Sequence, residues 1–430
     1  MNVRSLPCLQ PLCDRHPHVV LLWDERIEGR ALLGVGSKRA LVVDQPRSGD
    51  WRLWEAFLEE SERSNAWSFG WLGYDLHESL ELASPKECPP AVPPHPGNWP
   101  LMCWWEPEVV VEWVPGESLP TLVAGQDVAW ANDVMDVLHS ASRTSLPLDS
   151  SEDGWEALVP LWSQEEYCTK FDAVQSALRR GDIYEMNLCM PWKGQAPGAA
   201  SWSMFERLAA DTKAPHSAYI QAGAWRTLCA SPERFLAKRG NKLHSQPIKG
   251  TVKRGASPEE DQALKTALAN SEKEQAENVM IVDLVRNDLS RVAANRSVTV
   301  DELFGIHTFA TVHQMISSVS CTLRPDATPL DVMRATFPMG SMTGAPKLSA
   351  MACIAELEGQ GRGVYSGALG YVSPEGDWDL NVVIRSLMHH ADSGRVDATF
   401  GGAITLLADA TSEYEECLLK AKALRQCLAP

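Results

Sequence analysis

The sequence predicts a mixed α and β fold, because strand-like runs recur along the chain and stretches with helical periodicity separate them. The runs are VVVEWV (109–114), SAYIQAG (217–223), GALGYVS (367–373), LNVVIRSLM (380–388) and DATFGGAITL (397–406). Helices are predicted at 164–180, which ends on Arg179, Arg180 and Gly181 as a basic last turn and stop should, and at 258–293, 329–336, 346–358 and 411–427. No repeat of solenoid length is visible.

With 430 residues, 44% of them hydrophobic and 22% charged, the chain can bury a sizeable core without staples. A net charge of −17 opposes binding to nucleic acid or an anionic membrane. An anionic substrate therefore needs a local cluster of cations or a metal. The eleven cysteines are scattered without a CxxC pair, as expected of buried thiols in a reducing cytoplasm. The apolar run near the start is too short for a signal-peptide core, and no stretch approaches a membrane span, so a cytoplasmic location is expected.

Fifteen of the sixteen tryptophans precede residue 226, whereas the polar and glycine motifs gather after about 230. Proline-rich sequence at 84–120 and the polar stretch SRTSLPLDSSEDG (142–154) suggest a boundary near residue 150. It would separate a Trp-rich region, 1–150, from a region of catalytic motifs, 151–430. The tryptophans read as core and interface residues rather than a ligand cage.

Lys249 lies in SQPIKGTVKRG (245–255), between an apolar residue and a Gly-Thr pair that suits a turn. Glu233, in SPERFL, stands among apolar neighbours that would raise its pKa into the range of a general acid; pairing with Arg234 is the alternative. Glu274 and Glu277 fall at i and i+3 on one predicted helix, and Glu413 and Glu416 repeat the spacing near the C-terminus, with Lys420 one turn on. Two such helices face to face would hold a hard cation, and Mg²⁺ fits best; two solvated helix faces are the alternative. PMGSMTGAPK (338–347), GRGVYSGALGY (361–371) and FGGAI (400–404) could cradle an anion, but none has the spacing of a phosphate loop. Arg385 interrupts an apolar strand and needs an anionic partner, either a bound carboxylate or a structural salt bridge.

In their order, GDIYEMNL (181–188), SPERF, PIKGT, AENVMIVDLVRNDLSRV, TVHQMISSV, FPMGSMTGAPK, YSGALGY, NVVIRS, GGAI and EYEE resemble the chorismate-binding enzymes. That family includes anthranilate, aminodeoxychorismate, isochorismate and salicylate synthases. The resemblance implies an α+β fold like that of anthranilate synthase component I: a layered sandwich of antiparallel sheets, with helices outside and the active-site cleft between the sheets. The two regions would be interleaved in one compact fold.

It further implies that Glu277 and Glu416 bind magnesium directly and that Glu274 and Glu413 reach it through water. Arg385 and Tyr365 would contact the enolpyruvyl carboxylate of chorismate. Lys420, with the backbone at Ser341 and Gly402, would seat the substrate, and His313 would lie near the reacting ring. PIKGT resembles the aminodeoxychorismate branch, since anthranilate synthases carry alanine at the lysine. Isochorismate-type members use a lysine base at the position of Glu185, and the aminodeoxychorismate branch more often shows glutamine there, so the role of Glu185 stays open.

On this basis Lys249 is expected to attack chorismate as a neutral amine, its pKa lowered by neighbouring cations, with Glu233 as general acid. Ammonia is expected from a separate glutamine amidotransferase subunit, because no Gly-x-Cys-x-Gly elbow occurs in the sequence. The rival readings are an anthranilate synthase and a non-catalytic, tryptophan-binding homologue.

Overall fold

The computed structural model describes residues 4–26, 29–80, 92–140 and 154–428. The expected boundary near residue 150, the start of the proline-rich stretch and Cys88 lie outside the described residues.

Two antiparallel sheets pack face to face. The first runs Gly344–Ala345, Glu185–Gln195, Arg395–Ile404, Ser386–His390, Trp225–Ser231, His216–Ala222, His18–Trp23, Ala31–Val35, Val109–Trp113 and Thr121–Ala124, with Glu156–Pro160 pairing on Glu185–Gln195. The second runs Ile248–Lys253, Val312–Thr322, Lys242–Gln246, Arg234–Arg239, Trp378–Val382, Ala368–Val372, Ser68–Leu72, Met102–Glu106 and Arg39–Val43, with Thr299–Thr308 on Val312–Thr322. Each sheet contains strands from before residue 150 and after residue 230.

Strand periodicity sorts the core into two layers. In His18–Trp23, Val20 points into the core between the sheets, while Val19 and Leu21 point to a second core under the outer helices. Val110 and its neighbours Val109 and Val111 divide in the same way. The first sheet is therefore buried on both faces, which explains why its strands read as unbroken apolar runs. Gln164–Arg180, Ser201–Thr212, Lys347–Glu358 and Ala410–Cys427 cover its outer face. The tryptophans serve as core: Trp54 meets Trp104 edge to face at 5.7 Å, and both are fully buried.

The helix Gln164–Arg180 begins with a Ser163–Glu166 capping box and ends on left-handed Gly181. Two expectations are corrected. The helix expected over 258–293 is two helices, Pro258–Ala269 and Glu272–Ser290, because the Ser271 side chain accepts from the Glu274 amide and starts a new helix. The run at 380–388 is not one strand. Trp378–Val382 ends in the second sheet, Ser386–His390 starts in the first, and Arg385 lies between them at φ 51°. Both strands are buried, so apolarity alone hides the break.

Candidate active site

The chain crosses between the sheets twice at one level. Pro232 and Glu233 join Trp225–Ser231 in the first sheet to Arg234–Arg239 in the second, and residues 383–385 return from Trp378–Val382 to Ser386–His390. The crossings are tied together: Val382 N–H donates to Glu233 O at 3.0 Å, and Ala230 N–H donates to Arg385 O at 3.1 Å. Glu233 is buried, and burial pushes its carboxyl up to about 7 against the opposing pull of the Ser341 hydroxyl, Lys249, the Ile248 amide and Arg385. Arg234 does not partner it; its guanidinium grips Asp379 at 2.9 Å. Burial lowers the Arg385 pKa, with Glu233 opposing. Among the described residues Arg385 makes no salt bridge, so the structural-salt-bridge alternative fails and its charge stays available to an anion.

Lys249 extends from Ile248–Lys253 in the second sheet to Glu185, the first residue of Glu185–Gln195 in the first. Its Nζ lies 2.6 Å from Glu185 Oε1, and the two side chains are 10% and 2% exposed. The following residue, Gly250, has φ 80°, and a Cβ there would come within 2.9 Å of Glu274 Oε2. Gly250 sits at a bulge in this strand rather than in a turn, and its positive φ is what favours glycine. The expected cationic surroundings of Lys249 are corrected. Burial alone would lower its pKa, but Glu185, Glu277 and Glu233 outweigh it and the value is raised. Its neighbours are anions, and the amine is held charged.

The helices Glu272–Ser290 and Ala410–Cys427 bring their glutamates into mutual influence. Glu413 is pushed up to about 7 by burial first and then by Glu416, with Glu277 adding to it. Glu277 is raised by burial and by Glu274 and Glu185, with Lys249 opposing. At Glu416 burial is outweighed by Lys420, which sits 2.8 Å away and lowers the pKa. Hard carboxylate oxygens that repel one another match what Mg²⁺ needs, since it takes only one or two protein carboxylates and completes its shell with water and substrate oxygen. Among the described residues no three acidic, histidine or cysteine side chains close into a metal cage.

The remaining predicted residues divide. The Ser341 hydroxyl pulls the Glu233 pKa down, and the Ser341 carbonyl accepts from Asn187 Nδ2 at 2.9 Å. Gly402 leaves room for Glu413, whose Oε2 would lie 2.8 Å from an added Cβ, and Lys420 Nζ donates to Gly401 O at 2.7 Å. The buried Tyr365 hydroxyl meets Cys189 Sγ at 3.6 Å. His313 occupies a separate network, with Nε2 2.9 Å from Asp261 and Nδ1 3.0 Å from Thr308 Oγ1. Neither contact is to Lys249 or Glu233.

The sequence reading missed Arg362, 3% exposed, which binds Glu358, Ser366 and the carbonyls of Met342 and Asn187. It thereby ties the turn bearing Ser341 to the strand bearing Glu185. A cavity of 570 Å³, lined among others by Trp23, Arg30, Glu112, His216 and Tyr371, includes none of the predicted site residues. A smaller one of about 20 Å³, room for one water, abuts Glu233, Ser341 and Asp288.

Among the described residues no helix is long and apolar enough to cross a membrane. The profile of chorismate binding enzymes matches residues 18–426. The chain is 44% identical over 267 residues to an aminodeoxychorismate synthase of Streptomyces griseus, covering 62% of this chain and 36% of that protein. It is 42% identical over 254 residues to aminodeoxychorismate synthase component 1 of Klebsiella aerogenes, covering 59% and 56%. It thus spans between a third and six-tenths of these relatives. The structure of anthranilate synthase component I from Streptococcus pneumoniae superposes with a TM-score of 0.75 at 24% identity, covering 92% of each chain, which bears out the expected fold. The chain belongs to the chorismate binding enzyme family.

Proposed function

We propose that this chain is a synthase that converts chorismate and ammonia to 4-amino-4-deoxychorismate, with Lys249 as a covalent nucleophile. The observation that carries the reading is the burial of Lys249 between the two sheets against Glu185, with Glu233 close enough to bias its charge. The relatives named above support the choice of reaction.

The Lys249 nitrogen attacks C2 of chorismate. The C1–C2 and C5–C6 double bonds move to C1–C6 and C4–C5, and the C4 hydroxyl leaves as water on receiving a proton from Glu233. A buried carboxyl with a pKa near 7 holds that proton at neutral pH. Ammonia then attacks C4, the double bonds move back, and the lysine is expelled. Arg385, which makes no salt bridge among the described residues, receives the enolpyruvyl carboxylate together with Tyr365, while Lys420, Ser341 and Gly402 seat the ring and His313 lies near it. Glu277 and Glu416 would hold Mg²⁺ directly, and Glu274 and Glu413 through water. The ion, when bound, anchors the ring carboxylate of chorismate.

Ammonia comes from a separate glutamine amidotransferase subunit, a division supported by the component 1 name of the Klebsiella relative. The free thiols of the ten described cysteines support a reducing, cytoplasmic setting. Pure protein given chorismate, Mg²⁺ and an ammonium salt is expected to release aminodeoxychorismate, and to release none when glutamine replaces ammonium. Fluorescent anthranilate as the product would overturn the assignment.

A further inference from the structure

We propose that Glu185 is the proton acceptor for Lys249, taking a proton from the ammonium as its nitrogen attacks C2 and returning it when that nitrogen is expelled. The inference rests on the reading of Lys249 as nucleophile. A protonated amine has no lone pair to give, so attack requires deprotonation. The groups that face Lys249 are Glu185 from the strand Glu185–Gln195, Glu277 from the helix Glu272–Ser290 and Glu233 from the sheet crossing. All are acidic, so no cation among them drives the proton off, and it must leave to a local base. Among the described residues the only hydrogen bond of Lys249 Nζ is to Glu185 Oε1, at 2.6 Å. Among the described residues Lys249 forms no salt bridge with Glu274, Glu277, Glu413 or Glu416.

Two further observations favour a base over a counter-ion that merely neutralises a buried charge. Glu185 Oε2 is buried without any hydrogen-bond partner, so half of this carboxylate is left unsatisfied. Its backbone is fixed as well: Glu185 pairs with Ala345, and Asn187 N–H donates to Thr343 O at 2.9 Å. The carboxylate is thus held on the nitrogen from the opposite sheet.

The protons balance. The ammonium gives one proton to Glu185, and the neutral amine forms the N–C2 bond. The C4–O bond breaks with the proton from Glu233, and the secondary ammonium so formed releases its extra proton to solvent. On ammonia attack the N–C2 bond breaks, its electron pair stays on the lysine nitrogen, and Glu185 returns its proton; the ammonium formed at C4 gives its extra proton to Glu233, and the lysine amine takes one back from solvent.

The test is whole-protein mass spectrometry with chorismate and Mg²⁺ in the absence of ammonia. Wild type is expected to gain chorismate less water on Lys249. Glu185→Gln keeps shape and hydrogen bonding but cannot take the proton. It is expected to form the adduct about 10²-fold or more slowly at neutral pH. Glu185→Asp, which keeps a carboxylate, is expected to fall between them, and it carries the test if Glu185→Gln does not fold. An adduct formed by Glu185→Gln at the wild-type rate and with the wild-type pH profile would overturn the role of Glu185 alone. Absence of any adduct in wild type would overturn the nucleophile reading and the base with it.

Discussion

Glu185 and Lys249, 64 residues apart in sequence, meet at 2.6 Å from opposite sheets and join the two with a nearly buried ion pair. The pair joins the lysine of the PIKGT segment to the residue where this chain departs from the pattern of the branch it most resembles. It also inverts the electrostatics expected of a nucleophilic lysine, surrounding it with acids.

In the proposed mechanism Glu233 supplies the proton that the reaction consumes. Glu233→Gln is expected to slow turnover by about 10²–10⁴-fold while chorismate still binds. Steady-state kinetics beside a binding titration check this, and full activity in the variant would remove Glu233 from its role.

If Glu233 acts as the proposed general acid, its acid form is the active one, and kcat/KM is expected to fall as pH rises through about 7. The Ser341 hydroxyl favours the carboxylate and holds the pKa down. Ser341→Ala should therefore move the alkaline limb to higher pH. A limb that stays in place or moves to lower pH would contradict the assignment.

Arg385 lies at the sheet crossing and makes no salt bridge among the described residues. Arg385→Ala is expected to raise KM for chorismate roughly ten- to a hundredfold, the worth of a charged hydrogen bond, and to leave the melting temperature nearly unchanged. A large fall in melting temperature at unchanged KM would make Arg385 structural.

At Glu413 burial, reinforced by Glu416, lifts the carboxyl to about 7. The folded chain thus keeps a proton that the unfolded chain, with an ordinary value near ~4.3, has released. Its stabilising effect is complete at low pH and is lost as pH rises through about 7. Glu413→Gln is therefore expected to melt above wild type at about pH 8 and level with it near pH 4. Saturating Mg²⁺ should narrow the gap at the higher pH by raising the wild type more. Melting curves that Mg²⁺ leaves unmoved in both proteins would count against a cation site at these glutamates.

Arg362 and Glu358 form an i,i+4 pair with side chains 2% and 4% exposed. Arg362→Ala leaves a carboxylate buried without its partner and is expected to cost about 3–5 kcal/mol in urea denaturation. A loss below about 1 kcal/mol, the worth of an exposed pair, would contradict the burial.

Local signals in the sequence carry a good part of this fold. The helices Gln164–Arg180 and Pro329–Thr336 are legible to the residue, because Ser163, Gly181 and Thr328 mark their ends chemically. Ser271 was an equally good start signal, masked by the apolar periodicity on either side of it. The sheet crossing at Arg385 was not legible, since two strands buried in different sheets present the same apolar run as one. The glutamates announce themselves by helical spacing, but Glu185 facing Lys249 depends on sheet packing that no local pattern records. Arg362 shows the same limit: its spacing from Glu358 is visible in the sequence, and its burial is a property of the assembled layers.

The most direct measurement is mass spectrometry of the products that pure protein forms from chorismate, Mg²⁺ and an ammonium salt, run beside Lys249→Ala after its fold has been checked by thermal denaturation. Wild type is expected to yield aminodeoxychorismate, and the folded variant to lose that product or divert it. Anthranilate, isochorismate or salicylate from wild type, or unchanged aminodeoxychorismate from the variant, would contradict a lysine nucleophile at the centre of the reaction.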